Sequence, residues 1–137
     1  MSPSRDKFVG ADTSFLLRLL IGEPETQFHQ AQRELEHLRG EGKQVSVSDL
    51  VISELYFALQ YHYEVPKQTA LEKIRQMLES PEFHPMGKSL EVLQTANLAK
   101  AKPGFVDRMI HANYLDHTQT MLTFEKAASR LPGVKAL

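Results

Sequence analysis

The 137-residue sequence contains no cysteine. That excludes disulfides, cysteine-type zinc sites and thiol catalysis together, and it fits a reducing compartment. Long apolar runs are missing too. The longest, FLLRLLI, is broken by Arg18 and falls well short of the ~18 residues that span a bilayer. The segment MSPSRDKF has no apolar core of the kind a secretion leader needs, so the expectation is a cytoplasmic protein with no membrane partner. Positive charge is not in excess either: 16 Lys and Arg stand against 17 Asp and Glu, for a formal net charge of −1. Proteins that grip long duplex DNA non-specifically are usually more basic. A near-neutral total still leaves room for a basic patch around an acidic centre. Repeats and low-complexity tracts are absent, and the length suits one domain over residues 1–137.

What is present alternates. Residues 7–11 (KFVGA) read as a short strand, and Phe15, Leu16, Leu19 and Leu20 carry helical spacing as far as Gly22 and Pro24. Residues 25–39 repeat that spacing through Phe28, Ala31, Leu35 and Leu38 before Gly40 and Gly42. QVSV at 44–47 is a Val-rich strand, and Ser48 or Asp49 caps a helix over DLVISELYFALQYHY. Pro66 opens a helix to about Leu78, and residues 83–86 form a short strand that Pro85 confines to an edge. Ser89 caps a helix over Leu90 to Ala101, and Phe105 to about Tyr114 forms another. TMLTF at 120–124 reads as a strand, Lys126 to Leu131 as a short helix, and Val134 to Leu137 as a closing strand. Strands alternating with helices predict an α/β domain with a mostly parallel sheet. In such sheets the site lies beyond the carboxyl ends of the strands.

Four acids recur at comparable places. Asp12 follows the first strand, Glu54 sits in an apolar helix after the second, Asp107 lies in GFVDRMIHANY, and Glu125 follows TMLTF. Each also has a plainer reading: a helix cap for Asp12, the boundary of a half-buried helix for Glu54, a dipole-favoured first turn for Asp107, a solvated helix start for Glu125. If they meet, two carboxylates about 5 Å apart repel by roughly 3 kcal/mol at an effective dielectric of ~20. A cluster then takes up protons or a cation, and an all-oxygen set suits Mg²⁺ or Mn²⁺ better than zinc. Such a centre activates water and neutralises charge on a phosphodiester.

Taken in order, these segments resemble the PIN domain family, in particular the VapC-type toxin ribonucleases of toxin–antitoxin pairs. VGADTSFLLRLL is similar to the opening motif, VSVSDLVISELYFAL to the second, GFVDRMIHA to the third, and TMLTFEKAASRLPGVKAL to the end. The resemblance implies a three-layer α/β/α sandwich with a central mostly parallel sheet, and a metal-dependent endoribonuclease. It makes Asp12, Glu54, Asp107 and Glu125 the catalytic, metal-ligating acids for Mg²⁺ or Mn²⁺. Ser14 and Thr123 become supporting residues that hydrogen-bond an acid or a metal-bound water. RNA is the implied substrate, with a protein antitoxin and a second copy as partners.

The chain also departs from the family. Lys102, Pro103 and Gly104 stand where a further acid is common, Glu125 where Asp is common, and His111 where a small residue is usual. His111 lies one turn from Asp107, so it either joins the site or packs. Arg18, Arg108 and Lys126 are candidates for phosphate contact or solvated side chains. FHQAQRELEHLRGEGK is a charged amphipathic helix, solvated or in contact with a partner. Tyr56, Phe57, Tyr61 and Tyr63 are core residues or part of an interface rim. The departures keep open a non-catalytic PIN-like module that binds RNA or protein. A phosphotransfer enzyme with Asp12 as nucleophile is disfavoured, because Ser14 stands where that chemistry wants a second Asp.

Overall fold

The computed structural model describes residues 5–137. Residues 1–4, part of the segment read as lacking a secretion leader, lie outside the described residues. The chain divides into two compact units, Met1–Met86 and Gly87–Leu137.

The first unit is built on a parallel three-stranded sheet: β1 (Phe8–Gly10), β2 (Gln44–Val47) and β3 (Phe83–Pro85), in the order β1-β2-β3. Phe8 pairs with Gln44 and Gly10 with Ser46, while Val45 pairs with Phe83 and Val47 with Pro85. The central strand is buried on both faces, with Val45, Ser46 and Val47 at 2%, 8% and 0% exposure, as parallel strands generally are. Pro85 sits on the edge strand, where its missing N–H costs no ladder bond.

Helices α1 (Thr13–Ile21) and α2 (Glu25–Gly40) connect β1 to β2, and α3 (Asp49–Tyr61) and α4 (Lys67–Glu79) connect β2 to β3. α1 stops where Gly22 takes φ +80°, a left-handed conformation that costs glycine little, and its N–H bonds Arg18 O at 3.0 Å. Ser48 caps α3 by accepting from the Val51 N–H at 3.2 Å. The buried side of α3 is Ile52, Leu55, Tyr56 and Leu59, one stripe at helical spacing. With Leu16 of α1 and Ile74 of α4, these form the fully packed part of the core. Each such aliphatic contributes about 1.5–3 kcal/mol by leaving water.

The second unit holds α5 (Ser89–Leu93), α6 (Phe105–Leu115) and a parallel strand pair, β4 (Met121–Thr123) with β5 (Val134–Ala136). Two expected helices are shorter than the periodicity suggests. The expected helix over 90–101 ends at Leu93; Asn97 then turns left-handed at φ +55°, and a 3-10 turn, Leu98–Lys100, follows. The expected helix over 126–131 is a 3-10 turn, Lys126–Arg130. Val92, Leu93, Leu98, Phe105 and Met109 are buried in this unit.

Candidate functional site

Asp12 follows β1 and immediately precedes α1, in extended backbone (φ −95°, ψ −179°). Its Oδ1 accepts three hydrogen bonds: from Ser14 N–H at 3.0 Å, Ser14 Oγ–H at 2.6 Å and Phe15 N–H at 3.3 Å. Oδ2 accepts none among the described residues. Asp12 is thus a helix cap, and capping occupies only one of its two oxygens. The Ser14 hydroxyl, followed by the Phe15 N–H, holds its carboxyl below the usual carboxylate value, and slight burial opposes them. The side chain is exposed and ionised at neutral pH.

Glu54 lies on the exposed side of α3. The helix turns Ile52, Leu55, Tyr56 and Leu59 inward, and Leu50 is left 73% exposed. Phe57 and Tyr61 are also exposed, with their rings stacked at a 6.1 Å centroid separation. Glu54 therefore sits between Leu50 and Phe57 on a solvent-facing, apolar-flanked surface.

In the second unit, Asp107 is exposed in the first turn of α6. Glu125 is exposed just before the 3-10 turn and makes no side-chain cap bond. Its N–H donates to Thr123 Oγ1 at 3.0 Å, so the Thr123 hydroxyl fixes the backbone of Glu125. His111, one turn beyond Asp107, is buried at 6% exposure, and its Nε2 hydrogen-bonds the Pro132 carbonyl at 2.7 Å. That bond ties α6 to the loop before β5. Arg108 Nε donates to the Pro103 carbonyl at 2.7 Å, which steadies the turn entering α6.

The four acids are thus split in chain order: Asp12 and Glu54 in the first unit, Asp107 and Glu125 in the second. Among the described residues no three His, Asp or Glu side chains are grouped to hold a metal ion. Chemically the donors do fit a hard divalent cation: all are carboxylate oxygens, and Asp12 keeps Oδ2 unused.

Sequence reading missed the neighbourhood of Asp12 on α2. A pocket of about 440 Å³ is lined by Asp12, Phe15 and Glu34 with Val9 and Gly10 of β1. Glu34 belongs to the segment read as a solvated amphipathic helix, yet it stands three residues after Ala31 and four before Leu38, on the apolar side of that helix, which Glu36 does not. The packing of α2 beside α1 brings Glu34 to the pocket that Asp12 lines.

A family model for PIN domains matches residues 11–134. The chain belongs to the PIN domain family. The parallel strands and helices of this PIN domain are consistent with a three-layer α/β/α fold, and the match runs through both units. PIN domains are typically metal-dependent nucleases, and PIN nucleases bind RNA. No curated protein and no solved structure matches the chain. Among the described residues no helix of this PIN domain is long and apolar enough to cross a membrane.

Proposed function

We propose that this PIN domain is an Mg²⁺- or Mn²⁺-dependent endoribonuclease, the toxin of a toxin–antitoxin pair. One observation carries the reading: Asp12, in the family's opening motif, stands ionised at the end of β1 with Oδ2 unused. Asp12, Glu54, Asp107 and Glu125 are the proposed catalytic, metal-ligating acids. Ser14 supports Asp12 and Thr123 supports Glu125. When bound, the cation supplies charge neutralisation at the phosphodiester and an acidified water. We further propose a single PIN-like domain over 1–137, supported by a family match that crosses both units. A protein antitoxin, a homodimer and a cytoplasmic location rest on resemblance to VapC-type toxins, and exposed Leu50, Phe57 and Tyr61 offer apolar surface for a protein contact.

The test is cleavage of varied RNAs with Mg²⁺ or Mn²⁺ by folded, antitoxin-free protein and by Asp12→Asn. Cutting by the wild type alone supports the reading, and no cutting by either overturns it. A second reading, a non-catalytic RNA- or protein-binding module, is favoured by Lys102, Pro103 and Gly104 where a further acid is common and by Glu125 where Asp is common. Millimolar Mn²⁺ separates the two, since a cation that binds only the folded state raises its melting temperature.

A further inference from the structure

A second cavity adjoins the pocket at Asp12. It is a groove of about 680 Å³ between α1 and α2, with Ser14, Phe15, Arg18, Gln27, Arg33 and Glu34 among its walls. Phe15 and Glu34 line both spaces, so groove and pocket adjoin. Charge differs between the two spaces, with Glu34 common to both. The pocket end carries Asp12 and Glu34 and no cation, whereas both arginines line the groove.

The arginines are available. Arg18 Nε donates to Gln27 Oε1, which fixes the plane of the guanidinium. Its terminal amino groups make no other hydrogen bond among the described residues, and these form the fork that matches a phosphate. Arg33 is exposed and has no ion pair or hydrogen bond among the described residues. On α4, by contrast, Arg75 is taken up by Glu72 at 2.6 Å and Glu79 at 3.7 Å.

We propose that the α1–α2 groove holds the backbone of single-stranded RNA, with Arg18 and Arg33 each on a phosphate next to the one presented at Asp12. The ligand class rests on the nuclease reading; the groove and its two arginines do not. A strand fits this polarity because one phosphate needs a cation at the acidic end while its neighbours need direct positive partners. An acidic peptide fits less well: it would run its own carboxylates against Asp12 and Glu34.

The experiment is fluorescence anisotropy with a labelled, mixed-sequence RNA of about 20 nucleotides, a length that spans any groove of this kind. EDTA keeps cleavage out of the measurement, and a salt series is recorded for each protein. Arg18→Gln and Arg33→Gln should each weaken binding roughly fivefold, and the double variant should flatten the log–log salt slope by about 1.4. Arg75→Gln should bind as wild type. Lysine at both groove positions should restore the slope, and circular dichroism melts check that every variant folds. RNA affinity and slope unchanged in the double variant overturn the proposal, as does a wild type that binds no RNA. A poly-glutamate peptide that needs both arginines while RNA binding does not would place an acidic protein in the groove instead, which also overturns it. RNA binding that depends on both arginines, in a protein that cuts nothing with Mn²⁺, upholds the groove and removes the nuclease reading.

Discussion

The Ser14 hydroxyl donates to Asp12 Oδ1 at 2.6 Å, the shortest of the three bonds that oxygen accepts, and Oδ2 is left without a donor. The same carboxylate therefore caps α1 through one atom and offers the other. Helix capping and metal binding are competing readings of Asp12 in the sequence, yet capping in the fold takes only Oδ1.

Capping and chemistry should separate by substitution. Asparagine at position 12 retains an acceptor for the Ser14 and Phe15 N–H groups, so Asp12→Asn should change stability by no more than about 0.5 kcal/mol, while Asp12→Ala should cost about 1 kcal/mol. Both should reduce RNA cleavage to background. Urea denaturation followed by circular dichroism, beside a gel assay of cleavage, checks the pair. Asp12→Asn that cuts as well as wild type would leave Asp12 a cap and nothing more.

Acid should act on Asp12 in a defined direction. Its folded pKa lies below the ordinary value of 3.8, so its stabilising contribution is complete above that value and is lost as pH falls through the lowered one. Ser14→Ala removes the leading cause and should move the titration of Asp12 upward. Carboxyl-carbon NMR across the acid range reads this directly, and an unmoved midpoint would refute the role given to the hydroxyl.

Two leucines of α3 should respond oppositely. Leu59 is fully buried, and Leu59→Ala should cost about 2–5 kcal/mol. Leu50 is 73% exposed, and Leu50→Ala should stay within about 0.5 kcal/mol. Denaturant midpoints compare them, and equal losses would mean that α3 presents another face to the core.

Gly133 should tolerate no side chain. Its φ is +72°, and a Cβ there would stand 2.6 Å from the Gln119 carbonyl oxygen. Gly133→Ala should destabilise by on the order of 2 kcal/mol, from the left-handed backbone alone and more from the clash. Hydrogen exchange at β4 and β5 should rise in that variant, because Met121 N–H bonds the Gly133 carbonyl at 2.9 Å.

Much of this was legible in local chemistry. Asp12, Ser48, Pro24 and Gly22 mark helix ends through their own backbone and side-chain geometry, so those boundaries follow from the residues themselves. The Val-rich QVSV is the central strand for the same reason. The region after Ser89 was less legible, because a left-handed Asn97 outweighs the apolar periodicity around it. Hydrophobic spacing also left the roll of α3 open: Leu50 and Leu55 look alike in sequence, and only packing chooses Leu55.

The sequence by itself determined the α/β alternation, the family and the four acids in order, since periodicity, caps and motif order are properties of neighbours along the chain. Tertiary structure decided that Glu54 faces solvent, that His111 is spent on the Pro132 carbonyl, and that Glu34 lines both the pocket at Asp12 and the groove that holds two arginines of α1 and α2. Those are contacts between residues far apart in the chain, fixed by how helices roll to bury their apolar sides, and no local pattern encodes that rotation.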